Sequence, residues 1–206
     1  MYARSTTFQA RASSIDAGID FVRDVVMPAV QAMPGCMGLS MMADRRSGRC
    51  IVTTSWESRD DMRASDAAIA PMRVRAGTVL GGSPYAEEWE ISVLHRHHHS
   101  HEGACIRATW MHGDAGGLDQ AIDLFKMTTL PAMEDLPGFC SASMFVDRSD
   151  GRVVTSATYD SRAEMDASRE AAAKLRRKIA GDTGADVLDV AEFDLLVAHL
   201  RVPEMA

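Results

Sequence analysis

Two stretches of the chain carry the same polar pair at the same spacing: Arg4 with Thr6 near the start, and Arg107 with Thr109 in the second half. Residues two apart on a β-strand face the same side. An arginine so placed can hold an oxyanion or a phenolate. It can equally serve structure. Glu88 and Glu90, or Glu192 and Asp194, recur with the same period on the segment expected beside it, and a guanidinium is seldom buried without a carboxylate. The second stretch adds Trp110 and His112, where the first has Thr7 and Gln9. Imidazole ionises near neutral pH and suits a general base, so His112, with Arg107 to hold the anion, makes the candidate catalytic pair. Trp110, Tyr159, Trp56 and Arg4 are the candidate ligand contacts, the aromatic rings suited to an apolar pocket for a flat molecule. If only one half keeps a site, this asymmetry favours the second.

Other chemistry-bearing residues read more plainly. His95, His97, His98, His99 and His101 crowd one short stretch, and imidazole binds zinc, copper and nickel. That stretch bridges the two halves and offers no visible second shell, so it reads as a histidine-rich linker with no metal assigned. Cys36, Cys50, Cys105 and Cys140 show no CxxC spacing and read as free structural thiols in a reducing compartment. Dinucleotide, phosphate-loop, nucleophile-elbow and HExxH motifs are absent from the sequence, and no cofactor is expected.

The elements that must position these groups come twice. Residues 1–78 match 104–181 without a gap at 24 positions, about 31%. Met27-Pro-Ala-Val-Gln-Ala-Met-Pro-Gly35 faces Leu130-Pro-Ala-Met-Glu-Asp-Leu-Pro-Gly138, and the blocks 40–49 and 143–152 are as close. Apolar residues at 15, 19, 22 and 26 recur as Leu118, Ile122, Phe125 and Thr129, the stripe of an amphipathic helix that Pro28 and Pro131 break or kink in its last turns. Asp44 to Gly48 and Asp147 to Gly151 are hairpin loops, and Ser58 and Ser161 open a second helix. Each unit therefore reads β-α-β-β-α-β, the ferredoxin-like order of an α+β fold. The bare face of each sheet is expected to be covered by the other copy, as a pseudo-dimeric α+β barrel with the helices outside.

At these residues the sequence resembles the antibiotic biosynthesis monooxygenase-like (ABM) proteins of the dimeric α+β barrel superfamily, as a tandem duplication in one chain. The carriers are Pro28-Ala29 through Pro34-Gly35, the hairpin, and Trp56-Glu57-Ser58, with Tyr159-Asp160-Ser161 in the copy. The resemblance implies a cofactor-independent monooxygenase, since members of the group oxidise polycyclic hydroxyaromatics to quinones without metal or flavin. The histidine that such proteins often carry early in the second helix is replaced by Ser65 and Ser168, and the asparagine used by haem-degrading relatives has no counterpart, because the chain contains none.

Composition sets the outer bounds. The chain has 206 residues, 46% of them hydrophobic, and 22 Lys+Arg against 29 Asp+Glu leave a net charge of −7. An acidic balance disfavours nucleic acid and anionic membrane as partners. No run approaches the roughly 20 apolar residues of a membrane helix, and the N-terminus lacks a signal-peptide pattern, so a cytoplasmic location is expected. The expected domains are a ferredoxin-like repeat over 1–96, a His-rich linker over 97–103 and a second repeat over 104–206. The expected partner is a small molecule, with an internal pseudo-dimer and room for further homo-oligomerisation. The functional expectation is a monooxygenase-like protein that binds a small apolar or hydroxyaromatic molecule; the alternative is a non-catalytic binding or regulatory module of the same fold.

Overall fold

Alternating apolar residues build the strands of the first half and 3.6-residue periods its helices, in the order β1 (Tyr2–Gln9), α1 (Ile15–Phe21), α2 (Met27–Gln31), β2 (Cys36–Asp44), β3 (Arg49–Trp56), α3 (Arg59–Ala64), α4 (Asp66–Leu80) and β4 (Tyr85–Arg96). The second half runs β5 (Cys105–His112), α5 (Leu118–Leu124), α6 (Leu130–Glu134), β6 (Phe139–Asp147), β7 (Arg152–Tyr159), α7 (Arg162–Ala167), α8 (Arg169–Thr183) and β8 (Asp186–Leu200). This computed structural model describes residues 1–200; residues 201–206, assigned above to the second repeat, lie outside the described residues.

The fold is α+β, with the ferredoxin-like order present twice. The hydrogen-bonded strand order β1-β3-β2-β8-β5-β7-β6-β4 closes on itself as a barrel. Among the described residues two compact units emerge, one of Met1–Trp89 with Asp194–Leu200, the other of Glu90–Phe193. The long strands β4 and β8 therefore each pass from one unit into the other. Glu90–Arg96 of β4 runs antiparallel to β6, with Glu90 opposite Val146 and Arg96 opposite Ser141. Asp194–Leu200 of β8 runs antiparallel to β2, with Asp194 opposite Ala43.

The first helix of each unit departs from the simple expectation of a proline kink. A π-helical turn, Val22–Val26 or Phe125–Thr129, separates α1 from α2 and α5 from α6. Met27 N–H bonds the Val22 carbonyl and Leu130 N–H the Phe125 carbonyl, each spanning five residues. Pro28 and Pro131 follow at once and have no N–H to close a tighter turn, so the backbone widens ahead of them rather than breaking. The second helix is also in two pieces. Ser58 and Ser161 cap α3 and α7 by accepting from Asp61 N–H and Glu164 N–H, and the break before α4 and α8 falls at Ser65 and Ser168.

Gly138 fixes the entry to β6. Its φ is +65°, and a Cβ there would lie 2.4 Å from the Glu164 carboxyl carbon, so only glycine fits. Its carbonyl accepts from Asp160 N–H at 2.8 Å, which anchors the end of β7 beside the start of β6. In the first unit the core is centred on Phe8, Leu39, Met41, Trp56 and Leu80; in the second on Phe125, Phe139, Met144, Tyr159 and Met165.

Candidate functional site

The two strand arginines take the same structural place. Arg4 is 4% exposed and Arg107 5%, so each needs a full set of acceptors. Arg4 Nη2 donates to Glu88 Oε1 at 2.8 Å and Nη1 to Ser65 Oγ at 3.4 Å. Arg107 Nε donates to Glu192 Oε1 at 3.1 Å, Nη1 to Ser168 Oγ at 3.0 Å and Nη2 to the Met165 carbonyl at 2.6 Å. The arginine–carboxylate pairs expected from the period of two are therefore formed. Ser65 and Ser168 act as acceptors for these guanidiniums, while their own hydroxyls donate to the carbonyls of Met62 and Met165.

In the second unit a cavity opens between the sheet and the helices beside Arg107. Its walls come from β5, β7, the Phe125–Thr129 turn and α8, and it holds about 490 Å³ of empty space, mouth included. Met111, Phe125, Thr155 and Ile179 also line a second hollow, so the two adjoin at these residues. The first hollow has a mainly apolar wall with a few polar groups, the usual make-up of a small-molecule site. Two of those groups are unsatisfied. Tyr159 OH and Thr129 Oγ1 are buried with no hydrogen-bond partner among the described residues. Arg176 on α8, half-buried, has neither a carboxylate nor a hydrogen-bond partner among the described residues, and burial, with Arg107 and Arg177 nearby, depresses its pKa.

Comparison with the first unit shows how these groups lost their partners. There Trp56 Nε1 donates to Thr54 Oγ1 at 3.0 Å; in the second unit the matching residues are Tyr159 and Ala157, and the acceptor is gone. Val26 is the counterpart of Thr129, and Ile69, buried in the first core, that of Ala172 in the cavity wall. Arg73, the counterpart of Arg176, donates to Asp66 Oδ1 at 3.0 Å. The position of Asp66 is taken in the second unit by Arg169, which turns to Asp166 and Glu192 and leaves Arg176 unneutralised.

The structure brings Arg107 and Tyr159 together in this cavity, the guanidinium 5.5 Å from the ring centre. It does not bring Trp110 and His112 to them. Arg107, Thr109 and Met111 face the cavity, and strand alternation sends residues 110 and 112 to the other side. Trp110 packs edge-on against Phe193 at 6.3 Å, and His112 is exposed at the end of β5, so the pleat places His112 apart from Arg107 and the cavity. Trp56 and Arg4 belong to the first unit, Trp56 fully buried in its core. Thr129 and Arg176 were missed. The signal for both lay in the differences between the repeats, Val26 against Thr129 and Asp66 against Arg169.

Two ferredoxin-like units joined in one closed strand order define the fold, and solved structures of low sequence identity share it. An anthrone oxidase-like protein superposes with a TM-score of 0.67 at 14% identity, covering 100% of this chain and 95% of that one. A ferredoxin-fold protein of Listeria monocytogenes 4b F2365, related to antibiotic biosynthesis monooxygenases, gives a TM-score of 0.55 at 8% identity over 95% of this chain and 94% of that one. The chain belongs to the family of the Mycobacterium tuberculosis (strain ATCC 25618 / H37Rv) proteins Rv2557 and Rv2558. It is 51% identical to Rv2557 over 205 residues, 100% of this chain and 92% of that one, and 50% identical to Rv2558 over 206 residues, 100% and 87%. No protein-family model matches the chain. Among the described residues no helix is long and apolar enough to cross a membrane.

Proposed function

We propose that the second unit binds a small, largely apolar molecule bearing a phenolic or other acidic group, and acts on it as a cofactor-independent monooxygenase. The observation that carries this reading is the convergence of two partnerless buried hydroxyls, Tyr159 OH and Thr129 Oγ1, on the wall of one cavity beside the unpaired Arg176. A buried polar group without a partner costs about 1–3 kcal/mol, and a ligand oxygen placed there would recover it. The cation would favour the ionised form of that oxygen.

The chemistry then follows from the substrate. A phenolate is electron-rich enough to pass an electron to dioxygen inside a dry pocket. One oxygen atom ends on the ring carbon opposite the phenolate, and the other leaves as water with the two hydrogens lost, so that phenol plus dioxygen balances quinone plus water. Arg176 and Tyr159 hold the anion, Arg107 keeps β5 and α7 in register, and the apolar wall excludes water. The likeness of fold to an anthrone oxidase-like protein agrees with a polycyclic hydroxyaromatic as substrate.

The test is a panel of dihydroxyaromatics and anthrones, without added metal or flavin, with wild type, Tyr159→Phe, Arg176→Gln and the first-unit control Trp56→Phe. Turnover that falls at least tenfold in the first two variants and persists in the third supports the reading. Tight binding without turnover, lost in the same variants, moves the assignment to the alternative, a non-catalytic binding module. Neither binding nor turnover on any member overturns both.

A further inference from the structure

The stretch after β4 is docked, not loose. His97 N–H and His98 N–H both donate to the Cys140 carbonyl, at 2.8 and 3.2 Å, which carries the pairing of β4 with β6 past the end of the strand. This brings the His98 side chain over the start of β6 and the end of β7. There His98 Nε2 lies 2.8 Å from Asp160 Oδ1, and Cys140 Sγ lies 2.9 Å from the same oxygen. The three donor atoms all lie within 4.8 Å of one another. His101 stands beside them, its ring 6.3 Å from that of His98. None of these groups lines the cavity described above, and the reaction proposed there uses none of them.

We propose that His98, Cys140 and Asp160 form a binding site for a zinc-class divalent cation, which ties the segment after β4 to the ends of β6 and β7. One imidazole, one thiol and one carboxylate are a donor set that zinc accepts, and three protein ligands leave a fourth position for water or for His101. Zinc–nitrogen and zinc–oxygen bonds of about 2.1 Å and a zinc–sulfur bond of about 2.3 Å require tetrahedral ligand atoms to stand roughly 3.4–3.7 Å apart. The separations of Asp160 from His98 and from Cys140 are those of hydrogen bonds, and replacing those protons by a metal needs an opening of less than about 1 Å at each, while His98 and Cys140 already stand within 4.8 Å of one another. His98 and Asp160 can supply it, because their side chains are 36% and 31% exposed. On binding, the Cys140 S–H bond is replaced by a sulfur–metal bond and the proton passes to solvent; His98 binds as neutral imidazole and Asp160 as carboxylate.

The backbone supplies the preformed geometry that a run of histidines lacks by itself. Cys140 sits at the bulge of β6 between the paired Phe139 and Ser141, its carbonyl held by the His97 and His98 N–H groups, and Asp160 is held by its N–H to the Gly138 carbonyl. The first unit has Met37 and Glu57 at the matching positions, so the set belongs to the second unit alone.

The experiment uses the full chain, stripped with a chelator and titrated with Zn²⁺ by calorimetry and with Co²⁺ by absorption. The expected result is one metal per chain, a thiolate-to-cobalt charge-transfer band, and a higher Tm with Zn²⁺. Cys140→Ser should abolish the band and weaken Zn²⁺ at least tenfold, and Asp160→Asn should weaken it about 10–100-fold. Cys105→Ser and His99→Gln should retain both band and affinity. Asp160→Asn keeps the test open should Cys140→Ser fold poorly. Absence of binding, or binding that survives both Cys140→Ser and Asp160→Asn, would overturn the site and leave only capture by exposed histidines.

Discussion

Trp56 donates its indole N–H to Thr54 at 3.0 Å, whereas Tyr159, the matching residue 103 positions later, faces Ala157 and finds no partner for its hydroxyl. One unit thus satisfies its buried polar group internally, and the other leaves a polar group waiting at a cavity. This contrast separates stability from function at single residues.

Removing the partnerless hydroxyls should not harm the fold. Tyr159→Phe and Thr129→Val are expected to leave stability unchanged or raise it by about 1 kcal/mol each, since a buried unsatisfied group is lost without a cavity. Both should weaken ligand binding. Urea denaturation beside a binding titration checks this, and a stability loss above about 2 kcal/mol would mean that the hydroxyls have partners in solution.

The two arginines of the cavity should part company. Arg107→Ala takes a donor from Ser168, the Met165 carbonyl and Glu192, of which Glu192 keeps Arg169, and empties a buried side-chain position, so it is expected to cost about 1–3 kcal/mol. Arg176→Gln has no partner to strand and should stay within about 0.5 kcal/mol of wild type while ligand affinity falls. Chemical denaturation of both variants decides the matter.

Acid should weaken the second hairpin by a definite route. The Ser149 hydroxyl, the Ser149 N–H and Arg152 hold the Asp147 carboxyl below its ordinary value of 3.8. A carboxylate whose pKa is depressed by folding contributes stability above its unfolded pKa and loses it as pH falls through the folded one. The stability gap between wild type and Asp147→Asn should therefore be constant near neutrality and shrink below about pH 3.8, as thermal melts across that range would reveal.

Gly138→Ala should destabilise the second unit by about 1–3 kcal/mol, because the left-handed backbone and the Glu164 side chain both exclude a Cβ. Its readout is the midpoint of denaturation, with Gly103→Ala as a control, a glycine also at positive φ but with nothing within 4 Å of the added carbon.

Residues 1–96 expressed alone should form a homodimer or aggregate. The fragment lacks the β8 segment that pairs with β2, and it retains Glu90–Arg96 without β6. An unpaired edge and an unpaired strand in one molecule invite exchange between copies. Sedimentation showing a folded monomer would count against an internal pseudo-dimer.

Much of the local grammar is legible in the chain: the βαββαβ order, the hairpins and the serine caps rest on periods of two or 3.6 and on side chains that act within a turn, whereas the π-helical turns and the breaks at Ser65 and Ser168 leave no such signal. The internal repeat let each segment be read twice. What needed tertiary structure was everything that depends on which side of a strand a residue faces, or on what stands across from it. His112 and Trp110 are neighbours of Arg107 in sequence, yet the pleat sends them away from the cavity. Thr129 lines the cavity from the π-helical turn, and Arg176 is conspicuous only once Asp66 is known to neutralise Arg73. Cys140 and Asp160 lie 20 residues apart and His98 a further 42 before them, so only the pairing of β4, β6 and β7 could bring an imidazole, a thiol and a carboxylate to one point.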